Sequence, residues 1–132
     1  MRAGRELRRA VMDRIIAEVP DLAGRVYDRA AEGTAFPYAT MGASYGLDAS
    51  VECVTARSIT LQIDVWHSRA NKGVVEDLVD DVIAALAGWT DPDRLTAHPL
   101  RIGLVRVMDD KEDAVHGVVQ VEVVVEMGNA DE

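Results

Sequence analysis

Residues 57–66, RSITLQIDVW, alternate cleanly. Ile59, Leu61, Ile63 and Val65 fall on one side, and Ser58, Thr60, Gln62 and Asp64 on the other. This is the period of a strand with one apolar and one polar face. Residues 118–127, VVQVEVVVEM, repeat the pattern with Val119, Val121, Val123 and Val125 inward. Residues 99–108, PLRIGLVRVM, alternate until Gly103–Val105, where the period slips; a bulge or burial on both faces is predicted there. The acidic stretch DDKEDAVHG, 109–117, lies between these two runs, so they form a hairpin.

Two segments have helical period instead. In residues 5–19, Leu7, Val11, Met12, Ile15, Ile16 and Val19 form one stripe, and Pro20 ends it. In residues 72–87, Val75, Leu78, Val79, Val82, Ile83 and Leu86 form the stripe, and Gly88 is the expected stop. Ser68 and Asn71 offer N-cap oxygens before this second helix. A short extended segment is predicted at 25–29 and a strand at 37–46, entered at Pro37. Residues 47–54 are poorly patterned and read as a loop or bulge. The order is α-β-β-β-α-β-β, without the alternation of a doubly wound sheet. The expected fold class is α+β: a mainly antiparallel sheet of about five strands with two α-helices packed on one face. One domain over residues 1–132 is expected, since the length leaves no room for a comfortable second.

Composition narrows the chemistry. Aromatics make up only 5 % of the chain, so aliphatic residues must supply the core. Cys53 is the only cysteine, which rules out an internal disulfide and a cysteine zinc site; a small, buried or half-buried residue is expected there. No apolar run approaches the roughly 20 residues of a membrane helix, so no membrane partner is expected. MRAGRELRRAV has no apolar stretch after its charges and is not read as a secretory signal.

Charge changes the picture more. The formal net charge is −9, yet residues 1–29 hold seven Arg against five acids, giving +2 there and −11 for the remainder. An acidic body repels nucleic acid phosphates. Arg5, Arg8 and Arg9 at the start of the first helix oppose its macrodipole. They are candidates for contact with an acidic partner. Glu76, Asp77, Asp80 and Asp81 crowd the polar face of the second helix as like-charge pairs four residues apart. Asp77 and Asp81 are candidate contacts for a cationic surface, as are Asp109, Asp110, Glu112 and Asp113 of the acidic turn.

No phosphate loop, dinucleotide fingerprint, metalloprotease motif or nucleophile elbow is present. The acidic turn with His116 lacks the spacing and mid-loop glycine of a calcium loop. Asp64, His67 and Ser68 suggest a triad, but neighbours on a strand point to opposite faces. No catalytic, cofactor or metal residues are assigned. A small ligand-binding domain or enzyme, with Asp64, His67 and His116 converging in a pocket, is the alternative; it requires all three to meet. Trp66 closes the alternating strand on its polar side. It should be half covered, either by the 67–73 turn or by a neighbouring subunit. Phe36 and Tyr38, in GTAFPYATMG, bury either into their own core or into a neighbour.

The stretch VYDRAAEGTAFPYATMG, then ITLQIDVWHSRANKGVVEDLVDDVIAAL, then the terminal hairpin resemble the tail-completion or tail-terminator family of long-tailed phages and phage-derived gene transfer agents. Val26-Tyr27-Asp28 precede a loop ending in Pro37-Tyr38, with Gly42 after it. Trp66-His67-Ser68 close a strand, Gly73 follows, and an amphipathic helix comes next. The chain departs from the pattern at Asp48-Ala49, where relatives often carry an aromatic. The resemblance implies a non-enzymatic virion protein, made in the bacterial cytoplasm. It implies a homo-oligomeric, typically hexameric, ring at the head-proximal end of the tail tube. Its implied partners are the tail tube protein and a head-completion or connector protein, with DNA passing through the hole. Another head–tail connector role on a similar fold is a further alternative.

Overall fold

The computed structural model describes residues 2–95, 98–110 and 113–127. Helix α1 (Ala3–Glu18) buries Leu7, Val11 and Ile15, and Ala3 and Ala10 join them. Ile16, expected in the stripe, is instead 41 % exposed, because it lies at the edge of a face already filled by the alanines. A 3-10 turn at Pro20–Leu22 and two left-handed residues, Ala23 and Gly24, bring the chain into β1 (Val26–Tyr27), a strand of two residues. Strand β2 (Tyr38–Asp48) follows, then β3 (Ala56–Ser68), helix α2 (Lys72–Leu86), β4 (Arg101–Asp110) and β5 (Ala114–Glu126).

The sheet order is β1-β2-β3-β5-β4. β1 runs parallel to β2, and all other pairings are antiparallel. The terminal hairpin docks with β5 against β3, which leaves β4 at the edge. The reason is in the side chains: β5 offers Val115, Val119, Val121, Val123 and Val125 to the core, all buried, whereas most of β4 stays exposed. The inward residues of β3 and β5 pack with both helices into one core. α1 lies over β1 and β2; α2 lies over β5, β3 and β4. Gly117 sets how closely α2 sits on the sheet. A Cβ there would fall 2.6 Å from a Val79 methyl and 2.9 Å from a Val75 methyl.

Several elements differ from the sequence reading. β3 and β5 are longer than their clean alternation, since strands continue while backbone partners remain. β2 continues to Asp48, through residues expected to be loop, because β3 pairs with it as far as Arg57. The tip beyond it is held by Ser50, whose hydroxyl donates to Asp48 Oδ1 (2.6 Å) and accepts from the Ala56 N–H (3.0 Å). Those bonds to Ser50 hold the Asp48 carboxyl below its usual value. Cys53 is exposed, not buried, because it occupies a left-handed position (φ 64°) in that tip. Neither Ser68 nor Asn71 caps α2; the Asn71 amide donates to Ser68 Oγ instead (2.6 Å).

The slip at Gly103–Val105 is a bulge, between Ile102 and Val105, and not burial on both faces: Leu104 and Val105 are exposed. β2 carries a matching bulge between Met41 and Ser44. Both sit at one level, joined by the rows Met41–Ile63–Val119–Val105 and Ser44–Leu61–Val121–Ile102. Bulges bend a strand and blunt it against pairing with another chain.

Candidate assembly surfaces

The sheet face away from the helices carries a row of rings. Tyr38, Trp66, His116 and Met108 are register partners across β2, β3, β5 and β4. Trp66 and His116 stack at 3.9 Å with planes 11° apart, and Tyr38 stacks on Trp66 at 6.5 Å. The Trp66 indole N–H donates to Thr40 Oγ1 (3.1 Å). Within the subunit Trp66 is therefore half covered by its own sheet, through Tyr38, His116 and Thr40. Phe36 stacks flat on Tyr38 at 5.6 Å and is 42 % exposed, so it caps the row without entering the core. Burial on this face raises the Tyr38 hydroxyl pKa.

Below the rings lies a polar chain. Gln120 Nε2 donates to Gln62 Oε1 (3.1 Å), Gln62 Nε2 donates to Asp64 Oδ1 (2.8 Å), and His116 Nε2 meets the same oxygen at 2.6 Å. Gly42 leaves room for this carboxylate: a Cβ would lie 2.5 Å from Asp64 Oδ2. Sequence reasoning missed Thr40, Gln62 and Gln120 as members. The signal for Gln62 was the polar half of the β3 alternation, but strand register was needed to bring Thr40 of β2 and Gln120 of β5 to that face.

The pocket requirement of three converging groups is not met. Asp64 and His116 join, while His67 falls on the other side of β3 and stacks on Phe36 at 5.9 Å. Its Nδ1 accepts from the Ser68 N–H (2.8 Å), and burial lowers its pKa. Asp64 and His116 resemble the orienter and base of a triad. Here, however, the imidazole is roofed by Trp66 and the carboxylate is spent on Gln62. Among the described residues no three His, Cys, Asp or Glu side chains converge as a metal site.

The arginines divide into two kinds. Arg14 and Arg25 are structural: Arg14 Nε donates to the Ala85 carbonyl (3.0 Å) with its guanidinium 5.3 Å from the Trp89 ring centre, and Arg25 Nε donates to the Pro37 carbonyl (2.8 Å). Arg5, Arg8 and Arg9 instead line an open cleft of about 350 Å³ with Met12, Asp13 and Asp28. Arg8 spans from Asp28 Oδ1 to the Gly42 carbonyl, each at 3.4 Å. Arg5 and Arg9 are exposed and have no ion-pair partner among the described residues.

The acids divide likewise. Asp109 pairs with Lys72 (3.7 Å) and Asp113 with Arg69 (3.3 Å), so the turn is partly neutralised by the start of α2. Asp110 ends β4, and Glu112 lies outside the described residues. On α2, Glu76, Asp77, Asp80 and Asp81 are all exposed, with no ion pair among the described residues. A different surface was not anticipated: beyond its bulge, β2 is exposed on both faces, and Tyr45, Leu47 and the tip residue Val51 are 59, 65 and 70 % exposed. Among the described residues no helix is long and apolar enough to cross a membrane.

These features define a small α+β domain with charged flanks and a closed polar network. The family described as tail completion protein gp17 matches residues 5–126, from the first turn of α1 to the end of β5. The chain belongs to that family, and so is a structural protein of the virion tail. A chain in a solved structure, titled "Virion of native gene transfer agent (GTA) particle", has the same fold: TM-score 0.82 at 21 % identity, covering 96 % of this chain and 98 % of that one. No curated protein matches significantly.

Proposed function

We propose that this chain is a tail terminator subunit. It forms a ring, hexameric in the arrangement the family resemblance implies, on the head-proximal end of the tail tube. The ring stops tube polymerisation and presents a surface to the head-completion protein, and DNA passes through its hole. The observation that carries this reading is the tail-completion match at residues 5–126, which runs from the first turn of α1 to the end of β5.

The physical chemistry supports it. A ring needs two different surfaces on one subunit that fit each other. The net charge of −9 lets DNA slide past without adhering. The Asp64–His116 dyad is closed within its own sheet.

Deletion of the coding sequence from the producing strain tests the reading. Electron microscopy should show tails of abnormal length, or heads and tails unjoined. Tails of normal length firmly attached to filled heads would refute it.

A further inference from the structure

Two features of the helical layer work against the isolated subunit. Arg5 and Arg9 form a like-charge pair four residues apart near the N-terminus of α1, where the macrodipole also disfavours cations. Glu76–Asp80 and Asp77–Asp81 are like-charge pairs along α2. Each set is exposed, and none of these six side chains has an ion-pair partner among the described residues. The two sets are opposite in sign.

Their positions are complementary too. α1 lies over the β1–β2 side of the sheet, and Arg8 reaches Asp28 and the Gly42 carbonyl there. α2 lies toward the other side, where Lys72 reaches Asp109 on β4. One subunit therefore carries the Arg5–Arg9 pair on one flank and the four α2 carboxylates toward the other. Such a pair of unlike surfaces makes a head-to-tail contact that closes into a ring under rotation. Strand addition is the competing way to join the flanks. The bulges at one level of β2 and β4 oppose it.

Resting on the ring reading, we propose that the occupant of the arginine cleft is a second copy of this chain. The cleft of Arg5, Arg8, Arg9 and Met12 on one subunit receives the α2 face bearing Glu76, Asp77, Asp80 and Asp81 of the next. Carboxylates accept from the unpaired guanidinium N–H groups. Met12 supplies an apolar floor that keeps water from the contact.

Charge reversal on the full-length protein tests this. Arg5→Glu with Arg9→Glu, and separately Asp77→Arg with Asp81→Arg, should each weaken self-association ~10–100-fold by native mass measurement or ultracentrifugation. Circular dichroism and a melting curve establish that each variant folds, as expected for exposed positions. Mixing the two reversed proteins should restore assembly as an alternating ring, because the acidic cleft of one meets the basic α2 face of the other and the two native surfaces meet at the next contact. Combining all four reversals in one chain should restore it. An unchanged assembly in both pairs of reversals overturns the docking surface and leaves the ring reading intact. Rings that form normally but no longer bind the head-completion protein overturn it as well, and assign the cleft to that partner. A wild-type chain that stays monomeric alone and on tail tubes overturns the ring reading, and the docking proposal falls with it.

Discussion

His116 Nε2 lies 2.6 Å from Asp64 Oδ1, but the two residues are not register partners. Asp64 stands opposite Val118, and His116 opposite Trp66, so the bond runs diagonally across β3 and β5. The stack with Trp66 turns the imidazole edge toward the carboxylate. Asp64 is 6 % exposed and also accepts from Gln62. Asp64→Ala should cost about 1–3 kcal/mol in urea unfolding, since it strands a half-buried ring nitrogen and the Gln62 amide. His116→Ala should cost a similar amount, and a double-mutant cycle should give a coupling of about 0.5–3 kcal/mol. A coupling indistinguishable from zero would show that the contact stabilises nothing.

Gly117 and Gly73 make a contrasting pair. Gly117→Ala drives a methyl into Val79 and Val75 and should cost about 1–3 kcal/mol, because the stiff valines cannot move without lifting α2. A Cβ at Gly73 meets nothing within 4 Å, so Gly73→Ala should be neutral or stabilise by up to about 1 kcal/mol. Equal effects at both positions would contradict the packing of α2 on β5.

Arg14 ties the two helices together. Its Nε closes one of the last carbonyls of α2, and its plane lies over Trp89. Arg14→Ala should lose about 1–2 kcal/mol. Arg14→Lys should recover less than half, because an ammonium has no flat face and no fixed fork. Full recovery by lysine would mean that charge alone matters. Arg5→Ala, by contrast, should leave the unfolding free energy of the unassembled subunit unchanged.

Acid should weaken the fold partly through His67. Burial lowers its folded pKa below the ordinary value of 6.5, so the unfolded chain takes up its proton at higher pH. This contribution is complete above pH 6.5 and is lost as pH falls through that value toward the folded one. His67→Phe keeps a ring against Phe36 and removes the titration. The urea midpoint of the variant should fall less steeply between neutral and mildly acidic pH. A parallel dependence in the two proteins would remove His67 from the account.

Much of the fold was legible along the chain. Ile59 to Val65 and Val119 to Val125 announce their strands because side chains on a half-buried strand must alternate. Leu7, Val11 and Ile15 announce a helix for the matching reason at period 3.6. The failures are local. Cys53 looked like a core residue by type, but the turn it occupies points outward. Ile16 fits the stripe by spacing, yet the face was already full. The polar face of β3 reads as wet or covered by a polar partner; its partners Gln120 and His116 lie more than 50 positions away, at separations no local period reports.

Reading along the chain is enough for the two helices, the long strands, the acidic hairpin, the unequal charge of the two ends and the family resemblance. These follow from local periodicity, composition and motif order, which each stretch of chain carries within itself. Packing in three dimensions settles that β5 lies inside the sheet beside β3 and β4 at the edge, that β2 and β4 bulge at one level, and which arginines are free. Those outcomes depend on competition among distant partners. The most apolar strand wins the most buried slot, and a guanidinium is free only after every carbonyl and carboxylate within its reach has been assigned.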